Sequence, residues 1–156
     1  MTVTERSDPD LRLVAFDIDD LAVLSAHLQD ALVRVADMVW QRDHERFALV
    51  VSRFDWIAAA EGRCERAATG LRFERVRAVR QTGVQQRGPD AVFELLAIGF
   101  EPTDAPAGCV TLTFCGGAAI RLDVECLEAC VRDIGPRWTA RCQPVHALDG
   151  DPAAGS

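Results

Sequence analysis

Four groups of residues in this sequence have types and spacings that could do chemistry. The apolar run Leu13-Val14-Ala15-Phe16 ends in Asp17-Ile18-Asp19-Asp20, so two carboxylates stand one residue apart at the end of a strand. One such carboxylate can attack phosphorus while its neighbour protonates the leaving oxygen. Cys126, Cys130, Cys142 and His146 follow the spacing Cys-x3-Cys-x11-Cys-x3-His and offer four ligands of the kind zinc accepts. Arg72, Arg75, Arg77, Arg80 and Arg87 crowd one short stretch, and guanidinium forks suit phosphate or carboxylate. Of the three histidines, His27 lies one helical turn before Asp30, His44 falls at the tip of a polar loop, and His146 is near the C-terminus.

Each group also has a structural explanation. Asp19 and Asp20 suit the start of a helix, where Asp19 caps free N–H groups and both favour the positive end. Cys130 falls on an apolar stripe, where a small buried thiol is ordinary. The arginines can form a solvated face paired with acidic residues 1–30 and 90–104. His27 and Asp30 can form a surface pair, and no serine or cysteine is placed by sequence to use the imidazole as a base.

Composition narrows the field. Among 156 residues there is no lysine, tyrosine or asparagine, so all 17 basic residues are arginine. That excludes a Schiff-base lysine, a phosphate-loop lysine and a lysine general base. Without tyrosine, the arginine block also lacks the usual platform for stacking bases. The net charge of -7 argues against the whole molecule docking on nucleic acid or anionic lipid. The charge is uneven: residues 63–87 hold seven arginines and two glutamates, and residues 88–119 hold four acids and no base. No apolar run approaches the length of a membrane span and no secretory signal is visible, so a cytoplasmic protein is expected, with all six cysteines as reduced thiols.

The elements that must position these groups can be read in outline. Residues 1–9 and 149–156 read as disordered ends around a single domain, 10–148. Leu11–Phe16 suits a strand. A helix capped by Asp19 follows, with Ile18 placed to staple against Val23 and a buried stripe at Leu21, Leu24, Leu28 and Ala31/Leu32. Val35–Gln41 and Phe47–Phe54 read as strands joined by the polar loop 42–46, the second apolar on both faces and therefore central. An alanine-rich connector covers 57–70. Leu71–Val79 and Val92–Phe100 read as strands, the first with a bulge near Glu74-Arg75.

Val110–Val124 reads as a hairpin whose register is decided by its turn. A three-residue loop, Cys115-Gly116-Gly117, pairs Phe114 with Ala118, Leu112 with Ile120 and Val110 with Leu122, and needs a left-handed Gly117. Glu125–Ile134 reads as a helix, with Leu127, Cys130, Val131 and Ile134 on one face, Glu128 and Arg132 paired on the other, and Gly135-Pro136 as its stop.

Two resemblances bear on function. The Asp17-x-Asp19 run resembles the first motif of the haloacid-dehalogenase-like phosphotransferases, which implies a nucleophilic aspartate, an acid/base aspartate and a magnesium site. Three departures count against it: lysine is absent, Asp20-Leu21 replaces the onward threonine or serine, and the following segments read as β-hairpins rather than alternating strand and helix. More extensively, SAHLQDA (Ser25–Ala31), RFALVVSRFDW (Arg46–Trp56), LLAIGFEP (Leu95–Pro102) and FCGGAAIRLDVECLEA (Phe114–Ala129) resemble, in order, an uncharacterised alphaproteobacterial family known as domain of unknown function 2948. The resemblance spans about Leu11 to Trp138 and implies a bacterial single-domain protein. It brings no activity or catalytic residue with it.

The expected architecture is an α+β domain: an antiparallel curved sheet or half-barrel of six to seven strands with an N-terminal and a C-terminal helix, resembling pleckstrin-homology-like folds. The leading function is non-enzymatic binding of a protein partner or small ligand through the sheet, with no cofactor and no membrane. The alternatives are an anion- or RNA-binding module using Arg72, Arg75, Arg77 and Arg80, and a small hydrolase built on Asp17/Asp19 or on zinc held by Cys126, Cys130, Cys142 and His146.

Overall fold

The computed structural model describes residues 10–142. The expected loose ends at 1–9 and 149–156, and His146, lie outside them. Strand β1 (Arg12–Ala15) runs into helix α1 (Ile18–His27). The helix begins where the Asp17 carboxylate accepts the Asp20 N–H at 2.8 Å and Asp20 accepts the Phe16 N–H at 3.3 Å. This exchange satisfies donors that a helix start leaves without partners. The cap is therefore Asp17, two residues before Asp19, and Ile18 and Val23 are both exposed rather than stapled. Leu21, Leu24 and Leu28 form the expected buried stripe. Asp30 ends the segment in a left-handed conformation, φ 66°.

Strands β2 (Leu32–Arg34), β3 (Met38–Gln41) and β4 (Arg46–Phe54) follow. A 3-10 turn at Val35–Asp37 takes the first half of the strand expected from Val35. Helix α2 (Trp56–Ala60) leads to β5 (Glu65–Phe73), β6 (Val76–Thr82) and β7 (Val92–Pro102). The last three strands are β8 (Gly108–Phe114), β9 (Ala119–Val124) and β10 (Ala129–Thr139). All pairings are antiparallel, and the order across the sheet is β1-β10-β5-β4-β2-β7-β8-β9-β6, with β3 on β4.

That order forces the sheet to curl. Six strand spacings separate β5 from β6 in the order, which at about 4.8 Å each is about 29 Å in a flat sheet. Only Glu74 and Arg75 join Phe73 to Val76, a reach of about 10 Å. The two halves must therefore bend toward each other at this junction, where Arg75 is left-handed at φ 61°. Three backbone bonds fix the corner: Glu74 N–H to Glu128 O, Val76 N–H to Glu45 O and Glu125 N–H to Arg75 O, at 2.8–2.9 Å. The sequence suggested a bulge here, and the structure turns it into a change of strand partner. The inner side of the open, curved sheet holds the core, including Phe73, Leu95, Leu112, Phe114 and Leu122, with α1 laid across it through Leu24 and Leu28.

Among the described residues the sheet has ten strands rather than six or seven. The C-terminal helix expected over Glu125–Ile134 is absent, and with it the helix on which the pleckstrin-homology likeness rested. Residues 129–139 form β10 instead, with Ala129, Val131 and Asp133 facing inward and Cys130, Arg132 and Ile134 outward. A short apolar run satisfies both periods; here the strand wins because it fills the slot between β1 and β5. Glu128 accordingly pairs with Arg75 and not with Arg132.

The β8–β9 hairpin has the expected register. Leu112 faces Ile120, Val110 faces Leu122, and the Phe114 N–H bonds Ala118 O at 2.9 Å. Gly116 and Gly117 both have positive φ, 82° and 85°. Strand β4 is flanked by β5 on one side and by β2 and β3 on the other, as its two-sided apolar character implied. No helix among the described residues is long and apolar enough to cross a membrane.

Candidate functional site

Alternation along β4, β5 and β10 sends two different sets of side chains to the two faces of one sheet. Inward, at the end of the sheet beyond the core, lie Arg53, Thr69 and Asp133, all buried. Arg53 grips Asp133 with two bonds, Nε to Oδ1 at 3.1 Å and Nη2 to Oδ2 at 2.7 Å. The Thr69 hydroxyl donates to Asp133 Oδ1 at 2.7 Å and the Leu11 N–H to Oδ2 at 2.9 Å. Arg137 lies beside this pair and binds Asp55, with Glu65 at 3.0 Å. Asp55 also caps α2 through the Ala58 N–H at 2.9 Å.

These contacts set the charge states. Burial pushes the Asp133 carboxyl up, but the bonds from Arg53, Leu11 and Thr69 outweigh it and hold it below the usual carboxylate range. Asp55 is likewise raised by burial and pulled below its ordinary value by the Ala58 N–H and Arg137. His27, half-buried at the end of α1, is pushed down by burial and by the nearby Arg53 charge, against the opposing pull of Asp55 and Asp133. It stands in the field of this cluster, a relation that its spacing from Asp30 did not reveal.

All three groups bind protons less readily folded than unfolded, so acid opposes folding at each. His27 contributes fully above its unfolded value near 6.5, and that contribution falls as pH drops through this point toward its folded value. Asp55 and Asp133 contribute above the ordinary carboxylate range and lose this as pH falls through their lower folded values. Melting temperature is therefore expected to begin falling as pH drops below about 6.5 and to fall again below about pH 4. His27→Gln should abolish the first stage alone; a wild-type profile flat from pH 7.5 to 5 would count against the arrangement.

The outward set is different in kind. One cross-strand row runs Arg12, Arg132, Gly70, Val50, and the next runs Val14, Cys130, Arg72, Ala48, Val39. Between them a groove of about 300 Å³ opens on the outer face, lined by Val39, Val50, Gly70, Arg72, Cys130 and Ile134 among others. Gly70 makes the dip: a Cβ there would lie 3.6 Å from Ile134, occupying space that is open now. Val14, Val39, Val50 and Ile134 are exposed at 42–56%.

The charged residues that line the groove are Arg72, Arg132 and Asp37, the last paired with Arg34 at 3.2 Å, and Arg12 stands across from Arg132 outside the lining. Arg12 and Arg132 are directly opposite each other, and neither has a carboxylate partner among the described residues. Like charges in that position oppose pairing. Arg72 is diagonal to Arg132, about 7–8 Å away by strand geometry. It pairs with Glu74 at 2.9 Å, but that carboxylate also serves Arg46 at 3.0 Å. The site therefore carries net positive charge beside apolar surface.

The remaining sequence candidates fall elsewhere. Arg75 pairs with Glu128 at 3.5 Å, Arg77 with Glu125 at 2.6 Å and Arg80 with Asp123 at 2.8 Å. Their acids come from the β9–β10 region and not from residues 1–30 or 90–104. Arg87 sits over the Phe93 ring at 5.2 Å. Asp17 and Asp19 line a hollow with Phe16, Phe100, Pro106 and Cys126, and the lining holds no arginine to balance a phosphoryl group. Asp17 is engaged in capping α1.

Cys126 and Cys130 line separate concavities, since the backbone between them is not helical. Cys142 is bonded to Cys64, which corrects the expectation of six reduced thiols. The cause is the β5–β10 pairing, which sets Thr139 opposite Glu65 and brings the two Cα atoms within 5.0 Å. Among the described residues, no three His, Cys, Asp or Glu side chains are grouped to hold a metal ion. His44 lies in the 3-10 turn between β3 and β4, beside Arg46, Glu74 and Arg75.

Sequence reasoning found Arg72 but missed Arg12, Gly70 and Arg132. Arg12 was legible as the outward residue of the Leu11–Phe16 strand. The helical spacing of residues 125–134 hides Arg132, and the alanine-rich run that ends at Gly70 reads as a connector.

The fold and its surface define a β-rich single-domain protein with a charged cluster inside one end of its sheet and a cationic, apolar groove outside it. The chain belongs to the family described as protein of unknown function DUF2948, whose pattern matches residues 11–146. No curated protein and no solved structure matches it.

Proposed function

We propose that this protein is a non-enzymatic binding module that takes an apolar, negatively charged ligand or protein segment on the outer face of β10, β5 and β4. The observation that carries this reading is the Arg12–Arg132 pair beside the Gly70 groove. Two opposed guanidiniums without a carboxylate among the described residues cost stability that an anionic ligand would return. The groove's volume is at the lower end of small-molecule sites. RNA binding through the whole arginine block draws less support, because Arg75, Arg77 and Arg80 each face a carboxylate that lowers the charge a phosphate backbone would meet.

Gly70 provides the test. It lies in a strand without positive φ, and an added Cβ meets only ordinary contacts. Gly70→Val should therefore keep or raise stability, by up to about 1 kcal/mol, while filling the groove. Titration with the apolar anion anilinonaphthalene sulfonate at low salt should show binding that the variant weakens tenfold or more. Equal binding by both proteins rejects the outer face as the site.

A further inference from the structure

We infer that the groove's ligand class is a single-chain aliphatic amphiphile with an anionic oxygen headgroup, and this rests on the binding reading above. The headgroup would lie between Arg132 and Arg12, within reach of Arg72, and the chain would run over Gly70 between Val50 and Ile134.

The first argument is backbone satisfaction. Strand β5 is paired on both sides through this region, β10 with β1 as far as Arg132, and β4 with β3 as far as Leu49. The N–H and C=O groups of a strand lie in the plane of the sheet, so its face has none to offer a visiting main chain. A peptide laid there would set its own amides against Val50 and Ile134 without partners, and unpaired amides are costly to desolvate. A hydrocarbon chain has no such groups.

The second argument is charge. Arg12, Arg132 and Arg72 share one strand-to-strand neighbourhood; among the described residues the acid on Arg72 is Glu74, divided with Arg46, and the groove's Asp37 is taken by Arg34. An isologous pairing of this face with a second copy would bring these guanidiniums together, which argues against self-association as the occupant. A neutral lipid would leave the arginines as they are. An oxyanion accepts two or more charge-assisted bonds from them.

The third argument is size. A groove of about 300 Å³ holds roughly ten heavy atoms at about 30 Å³ each, the share of a water-sized group. That suits a medium chain and excludes a two-chain lipid lying wholly within it.

The experiment is a titration of the full chain, below micelle-forming concentrations, with four ten-carbon probes: decanoate, decyl phosphate, decanol and decyltrimethylammonium. Calorimetry and displacement of anilinonaphthalene sulfonate give the affinities. Decanoate or decyl phosphate should bind one to one, at least tenfold more tightly than decanol, with no binding of the cation. The preferred anion separates a carboxylate from a phosphate source. Arg132→Gln, an exposed change, should erase the advantage over decanol, and Gly70→Val should weaken every probe.

Decanol equal to both anions overturns the headgroup assignment. Failure of all four probes, with the sulfonate dye still lost in Gly70→Val, overturns the amphiphile and leaves the binding face standing. Dye and probes indifferent to Gly70→Val overturn both readings. An acidic peptide that binds more tightly than either anion replaces the amphiphile with a protein segment.

Discussion

Asp133→Ala is expected to destabilise the protein by about 3–5 kcal/mol, the usual cost of removing one partner from a buried ion pair. Arg53, 3% exposed, would keep its charge and lose both of its bonds to Asp133. The Thr69 hydroxyl and the Leu11 N–H would lose the same acceptor. For a chain of this size such a loss lowers the melting temperature by about 10–15 °C. Denaturant unfolding measures it directly, and a loss under about 1 kcal/mol would contradict the buried pair. Replacing both partners, Arg53→Met with Asp133→Leu, should recover much of the stability because no buried charge is then left alone. The comparison separates the penalty of an orphaned charge from the net contribution of the pair.

Loss of the Cys64–Cys142 bond is expected to cost about 2–4 kcal/mol. The two residues are 78 positions apart, and closing a loop of that length removes about 4.5 kcal/mol of unfolded-chain entropy in the chain-entropy treatment. Engineered and native bonds commonly deliver less than that limit. Unfolding with and without a strong reductant should show the shift. The double variant Cys64→Ser, Cys142→Ser should match the reduced protein and no longer respond to reductant. A wild-type protein indifferent to reductant would mean that the bond does not form. The four other cysteines among the described residues, Cys109, Cys115, Cys126 and Cys130, are free thiols and serve as internal controls for labelling.

Local signals were legible where one physical requirement decided the outcome. The β8–β9 register followed from alternation plus two glycines, because a two-residue loop would have mixed the faces. The buried stripe of α1 followed from its spacing. Residues 129–139 were not legible in the same way, since Leu127 and Val131 share a face in a helix and in a strand alike, and Ile134, which completes the helical stripe, is exposed on the other side of β10. What decides for the strand is distant: buried Asp133 is met by Arg53, eighty positions earlier, and by Thr69 and the Leu11 N–H.

The site shows the same division. Arg72 was visible as part of a cationic run. The grouping of Arg72 with Arg132 and Arg12 depends on strand neighbours that join the first, middle and last parts of the chain. The disulfide depends on the same pairing, which no cysteine spacing encodes.

The place of β10 between β1 and β5 has a consequence for how the molecule is made. The hairpins β4–β5 and β8–β9 can close from nearby residues, but β1 has no strand to join until residues 129–132 exist. A chain leaving the ribosome must hold its earliest strand waiting for its last, and long-range pairing of this kind slows folding. During that wait β5 presents an open edge with Ala67, Thr69 and Leu71 on its inner side, a template for a wrong strand. A β10 inserted two residues out of step would bury the Arg53 and Asp133 charges apart, so the pair favours the native register. Variants at Asp133 should therefore aggregate more than the wild type during refolding, in addition to their loss of stability at equilibrium.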